Sequence, residues 1–320
     1  MMHHVFLDEI AQRIPQKEER IDVLADMLSI SRKAVNSRLQ GEVPFAFHEA
    51  MIISRQLNIF LDTLKLDNLP MLKPLFKFNQ IENTNPIKTS FALSEEMVSI
   101  LKFLKNFPDA EGGEVTNILP QPLYVAYQYV FRFYLFKWKY QTKGLNKVVP
   151  YKDVIIEDKL QKIQKENVKW AKILHTEYIL DNLIFQYLVN DINYFYQIRL
   201  ITDEEINLIK RDLLKILEQI DRWSSEGFFE ETGKRINIYI SDINIETSYV
   251  YINAPDYQLT MAKTFLLNGI VSTERTTFEE MKQWVQSIKQ QSFSITRSGE
   301  RKRVEFLKKQ YNLIETLPQV

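Results

Sequence analysis

Residues 21–42 read IDVLADMLSISRKAVNSRLQGE, and the reading of the whole chain starts from them. Ile21, Leu24 and Leu28 recur at helical spacing with Ala25 beside them, which predicts one apolar stripe on a first helix. Ala25 stands where a second helix would cross, and its small side chain permits close approach. Leu28-Ser29-Ile30-Ser31 then breaks the periodicity. Ser31 is a good N-cap, and Arg32, Lys33 and Ala34 open a second helix. Val35 and Leu39, four apart, face inward together. That leaves Asn36, Ser37, Arg38 and Gln40 outward, and Gly41 is placed to stop the helix. The pattern is a helix-turn-helix.

A short exposed helix bearing Arg, Lys, Asn, Ser and Gln suits the major groove of duplex DNA, where such groups meet base edges and phosphates. Leu24-Ala25, Leu28-Ser29-Ile30-Ser31, Val35 and Arg38-Leu39-Gln40-Gly41-Glu42 together resemble the lambda-repressor-type (Xre-like) helix-turn-helix. Ser29 stands where that family's turn usually carries glycine. Arg38 stands where its second inward residue often falls. The resemblance covers about the first sixty to seventy residues. It implies a transcriptional regulator that contacts double-stranded DNA through Ser31, Arg32, Lys33, Asn36, Ser37, Arg38 and Gln40. Arg32 and Lys33 would lie mostly on phosphate, and Asn36 and Arg38 nearer the bases. The other reading is a helical hairpin used for protein interaction, in an adaptor that never touches DNA.

Charge bears on that choice. The chain holds 41 basic and 41 acidic side chains, so any nucleic-acid contact must come from a local patch. Residues 1–69 carry eight Lys or Arg against ten Asp or Glu, a net of −2. Such a module neutralises few phosphates alone, which predicts weak binding by one copy and a homodimer on two half-sites. Cysteine is absent, excluding disulfides, thiolate metal sites and cysteine nucleophiles and fitting a reducing cytoplasm. No apolar run approaches the length of a membrane span, and the acidic start is unlike a signal peptide.

Outward from the motif, Phe6, Leu7, Ile10 and Ile14 predict a helix over 5–14 that Pro15 ends. Pro44 bends the chain into a supporting helix over 46–57, with Ile52 and Leu57 inward and Asn58 to Asp62 closing the module. Residues 70–92 hold three prolines and read as a linker, with a short strand near 75–81. Ser94 caps a helix that ends near Pro108. Glu111-Gly112-Gly113-Glu114 reads as a loop and lacks the setting of a phosphate loop.

Residues 123–141, LYVAYQYVFRFYLFKWKYQ, carry aromatics on two helical faces, and 115–152 contain six basic residues and no acidic one. This fits a core helix whose lysines snorkel rather than a basic platform for stacking single strands. Residues 159–199 predict two helices broken near His175, the second from Glu177. Thr202-Asp203-Glu204-Glu205 is a capping-box start for a helix to about Ser224. Period-two alternation predicts strands at 235–240 and 247–252 joined as a hairpin. A third strand runs over 259–271 with a bend at Gly269. A helix then runs from Thr277 to Gln290 with Trp284 inward, followed by a last strand at 293–296 and a basic helix from Ser298.

The fold class expected is therefore α+β and mostly α. Residues 1–69 form an all-α DNA-binding domain and 70–92 a linker. Residues 93–320 form a helical middle layer and a small C-terminal sheet with flanking helices, which senses a signal, such as an unidentified small-molecule effector, or dimerises. His3, His4, His48 and His175 have no partners at metal-ligand spacing. No nucleophile elbow or dinucleotide turn occurs. Ser298-Gly299-Glu300-Arg301 reads as an ordinary N-cap rather than an anion site. No enzyme, cofactor or metal is expected.

Overall fold

A computed structural model describes residues 2–57, 59, 77–78, 85–143, 149–255, 257–264 and 269–318. The protein is α+β, with helix far outweighing strand, and the chain divides into two compact units, Met1–Leu75 and Phe76–Val320. Among the described residues no helix is long and apolar enough to cross a membrane.

The smaller unit contains α1 (Met2–Arg13), α2 (Lys17–Leu28), α3 (Arg32–Leu39) and α4 (Phe47–Leu57). α1 stops ahead of Pro15, where Arg20 Nε donates to the Ile14 carbonyl at 2.7 Å and ties the link down. Phe6, Ile10, Ile21, Leu24, Ala25, Val35, Phe45, Ile53 and Ile59 form the core, with Leu28 and Leu39 packed against it. Each fully buried aliphatic contributes roughly 1.5–3 kcal/mol. One expected core residue is corrected: Ile53 is completely buried, whereas Ile52 is 37% exposed. Glu49, in the first turn of α4, is held inward by Arg38. Positions 49 and 53 share that face, so Ile52 is turned out. The expected closing segment 58–62, apart from the buried Ile59, lies outside the described residues.

The larger unit is built on one mixed sheet. Its strands are β1 (Lys77–Phe78), β2 (Glu111–Thr116), β3 (His175–Asp181), β4 (Ile236–Ser241), β5 (Tyr249–Ala254), β6 (Tyr257–Lys263), β7 (Gly269–Ser272) and β8 (Ser292–Ser294). The order is β1-β7-β6-β5-β2-β3-β4-β8, with β2, β3 and β4 mutually parallel and every other pairing antiparallel. α5 (Pro86–Leu104) precedes β2. α6 (Gln121–Tyr124), α7 (Gln128–Lys143) and α8 (Asp158–Ala171) link β2 to β3. α9 (Ile184–Gln197) and α10 (Asp203–Glu226) link β3 to β4. α11 (Arg275–Gln290) precedes β8 and α12 (Glu300–Glu315) follows it.

Alternation along the strands sorts the two faces. Tyr178, Leu180, Ile236, Ile238 and Ile240 join the main core with α6, α7, α9, α10 and α12. Val115, Ile179 and Tyr251 on the opposite face meet Phe278 and Val285 of α11. The aromatic run supplies core: Tyr124, Phe131, Phe133, Tyr134, Phe136 and Trp138 are all buried, so a stacking platform is not what these rings form. α10 is as expected. Thr202 and Glu205 form a reciprocal capping box, and Ile206, Ile209, Leu213, Ile216, Leu217 and Ile220 are buried.

Several expectations are overturned. Glu111–Glu114 is not a loop but part of the sheet's central β2. A Cβ on Gly113 would lie 2.3 Å from the Tyr251 ring, so the missing side chain makes room for that ring. Residues 177–181 are strand, not helix. Buried Asp181 accepts from the Leu183 and Ile245 N–H groups at 2.7 and 2.6 Å and turns the chain from β3 into α9. β4 and β5 are no hairpin, because β3 and β2 lie between them. The return loop is pinned where the Thr116 and Ser248 hydroxyls meet at 2.8 Å.

The single strand over 259–271 is two strands, β6 and β7. α5 starts at Pro86 behind an Asn85 cap, within the expected linker. Ser94 is buried inside that helix, donating to the Ser90 carbonyl and accepting from Gln164. Of the expected strand at 75–81, Lys77–Phe78 is present and the rest lies outside the described residues. α11 begins at Arg275, its threonines bonded to Glu274, and leaves Trp284 54% exposed. The last strand is Ser292–Ser294. α12 starts at Glu300 behind a 3-10 turn over Arg297–Gly299, so Ser298 is not its cap. The middle helices and the C-terminal strands are therefore not separate layers, since the sheet's two innermost parallel strands come from the middle of the chain.

Candidate nucleic-acid interface

The turn between α2 and α3 is built on Ser29, at φ 53° and ψ 43° in the left-handed region. Its N–H donates to the Asp26 carbonyl at 3.3 Å and the Ile30 N–H to Ala25 at 3.2 Å, which satisfies the last carbonyls of α2. Ser31 is extended, and its Oγ accepts from the Ala34 N–H at 3.2 Å. Gly41, at φ 77°, stands just past the end of α3. Each of these caps is local, and each fixes where α3 starts and stops.

Val35 anchors α3, being completely buried. Ser31, Arg32, Lys33 and Gln40 are exposed, and Asn36 and Ser37 are half-buried. Arg32 reaches back to α2, where it pairs with Asp22 and, at 3.0 Å, with Glu18. Both ends of those pairs are more than half exposed, so they cost little to open. Lys33 has no carboxylate partner among the described residues.

Arg38 departs from the expected outward position. Its guanidinium forks onto Glu49 of α4, Nε to Oε2 and Nη2 to Oε1, both at 2.9 Å, while Nη1 donates to the Ala34 carbonyl at 3.1 Å. The side chains are only 19% and 6% exposed. Glu49 also accepts from the Ala46 N–H at 2.8 Å, so one carboxylate caps α4 and clamps α3. Burial pushes that carboxyl upward. The hydrogen bonds from Arg38 and Ala46 and the Arg38 charge outweigh it, leaving the group below its ordinary value. Arg38 therefore ties α3 to α4 from the inner side of the helix. The hairpin stretch gave no sign of Glu49, which lies across a loop. The one available signal was a carboxylate three residues after Ala46, in the first turn of a helix.

In the larger unit two carboxylates of the sheet are engaged by lysines. Glu114 on β2 pairs with Lys263 of β6. Glu177 pairs with Lys289 of α11 and accepts from the Tyr251 hydroxyl at 3.5 Å. His175 Nδ1 accepts from the Arg235 N–H at 3.1 Å, and neighbouring burial, Lys234 and Arg235 lower its pKa. Among the described residues no three His, Asp or Glu side chains are grouped to hold a metal ion. Of the carboxylate pairs, Asp203-Glu204 lies at the start of α10, Glu231 pairs with Lys172, and Glu279 sits inside α11 against Arg275.

No protein-family model, curated protein or solved structure matches the chain.

Proposed function

We propose that the chain is a sequence-specific DNA-binding transcriptional regulator whose α3 enters the major groove of its operator. One observation carries the reading. α3 is fixed from behind by Val35 and the Arg38–Glu49 fork, while Ser31, Arg32, Lys33 and Gln40 stand exposed along its outer side. Helices used for base readout need that combination of rigid seating and free donors. Arg32 and Lys33 take phosphates, Asn36, Ser37 and Gln40 face the bases, and Arg38 holds the register. The larger unit senses a small effector or supports dimerisation, and the protein works in the cytoplasm.

A second reading, a protein-interaction adaptor, is favoured by one specific observation: Arg32 already has Glu18 and Asp22 as partners in a module of net charge −2. Selection of bound duplexes from a random pool by the purified chain separates the two. The regulator enriches a defined, palindromic sequence, and its binding weakens steeply with salt. Arg32→Ala/Lys33→Ala should lower affinity for the selected duplex at least about tenfold, as loss of two charged contacts implies. No enrichment, or equal binding by that variant, removes the DNA reading.

A further inference from the structure

The smaller unit leaves four apolar side chains exposed on α4 and the loop before it. Phe47 is 79% exposed, Val43 45%, Met51 42% and Ile52 37%. Phe47 and Met51 lie one turn apart on α4 with Ile52 beside them, and Val43 precedes them on the loop from α3. The opposite side of the same helix is the buried one, carrying Glu49 and Ile53. Single exposed apolar residues are ordinary, but a grouped set headed by a nearly free phenylalanine marks an interaction surface. Its two ends carry opposite charge. Glu42 adjoins Val43, Arg55 lies one turn beyond Met51, and both are exposed without an ion-pair partner among the described residues.

We propose that this face docks a second copy of the chain, α4 against α4 and antiparallel about a two-fold axis. A two-fold contact joins the same patch on both copies, so the patch must be complementary to itself. The antiparallel arrangement sets Phe47 of one copy against Met51 of the other, and brings Glu42 near Arg55 at both ends. A parallel arrangement would set like charge on like. Four side chains cover on the order of a few hundred Å² per copy, short of the ~800 Å² per partner of a standard interface, so the pairing is weak and concentration-dependent. Behind the face, Glu49 clamps Arg38, so joining two α4 helices also fixes two α3 helices. The use of that pairing on two half-sites rests on the DNA reading; the pairing itself does not.

The chain has no cysteine, so a single introduced thiol is a clean probe. Sedimentation velocity of the full chain, from low to several hundred micromolar, should show monomer passing to dimer. Phe47→Glu should weaken that association at least about tenfold, as expected of a central anchor. Glu42→Arg should weaken it too, and Glu42→Arg/Arg55→Glu should restore it. Phe47→Cys in dilute monomer should react readily with a maleimide, and at high concentration should cross-link to a Met51→Cys chain under oxidation. Should Phe47→Glu melt early, Met51→Lys replaces it. A chain monomeric at every concentration overturns the proposal. So does undiminished dimerisation of the variants, or protection of the thiol in the monomer, which would mean that the chain covers this face itself. Random-duplex binding measured alongside keeps the two readings apart. A dimer that binds no duplex retains the pairing and loses the DNA reading, and a monomer that binds duplex does the reverse.

Discussion

Cutting the fork between α3 and α4 gives the sharpest test of how the smaller unit is held. In Arg38→Ala, Glu49 keeps its Ala46 bond but loses both guanidinium bonds, in a pocket that leaves its side chain 6% exposed. Removing one member of a fully buried pair costs about 3–5 kcal/mol. Arg38 is 19% exposed, and water reaching the pair reduces the cost, so about 2–3 kcal/mol is expected. A unit of this size is stable by only about 4–11 kcal/mol. Hydrogen exchange of the full chain, followed by mass spectrometry, reads this without separating the units. Protection in α2–α4 should fall roughly 30- to 150-fold, at 1.36 kcal/mol per decade, while β2–β4 amides stay unchanged. Arg38→Met/Glu49→Leu removes both charges together and should recover most of the loss, short of about 1 kcal/mol for the orphaned Ala46 N–H. Unchanged protection in Arg38→Ala would refute the clamp. A double variant as unstable as the single would refute the buried-charge account of it.

Three further substitutions have defined expected outcomes. Ser29 holds φ 53°, so Ser29→Gly should relieve left-handed strain and raise the unit's stability by about 1 kcal/mol, read as a higher urea midpoint with unchanged slope. Gly113→Ala should lower the larger unit's stability by about 1–3 kcal/mol, because the new methyl meets the Tyr251 ring. Thermal melting followed by near-ultraviolet circular dichroism checks it. The Glu49 carboxyl is held below its ordinary value of 4.5. Its contribution is therefore fully present above that pH and is lost as pH falls through the lower folded-state value. Glu49→Gln should flatten the acid limb of the smaller unit's stability curve.

What could be read from the chain alone divides along the range of the forces involved. α2, α3 and α10 were legible because their determinants sit within a turn of each other: Ser31 caps, Thr202 and Glu205 cap each other, and isoleucines recur at helical spacing. β2 was hidden because two glycines between carboxylates read as a turn. The ring that fills their space belongs to Tyr251, far along the chain. The strand His175–Asp181 was absorbed into a neighbouring helix, since the side chain that breaks it, Asp181, bonds an N–H at Ile245. β4 and β5 look like a hairpin because alternation reports strands but not their order. On α3, the exposure of Ser31, Lys33 and Gln40 was readable. Arg38 was not, because its partner lies eleven residues on, across a loop.

The strand order also sets a timetable for synthesis. β2 has β3 on one side and β5 on the other, and roughly 130 residues separate Thr116 from Tyr249, about 7–27 s of translation at bacterial and eukaryotic rates. Throughout that interval a glycine-bearing strand waits with at least one edge unpaired, the condition in which nascent chains invite chaperones or mispair with one another. The four N-terminal helices, whose shared core is drawn from Phe6 to Ile59, can be finished long before. On the ribosome the two units therefore mature on different clocks, and a truncation after the first unit but ahead of β5 leaves the first complete while stranding the second.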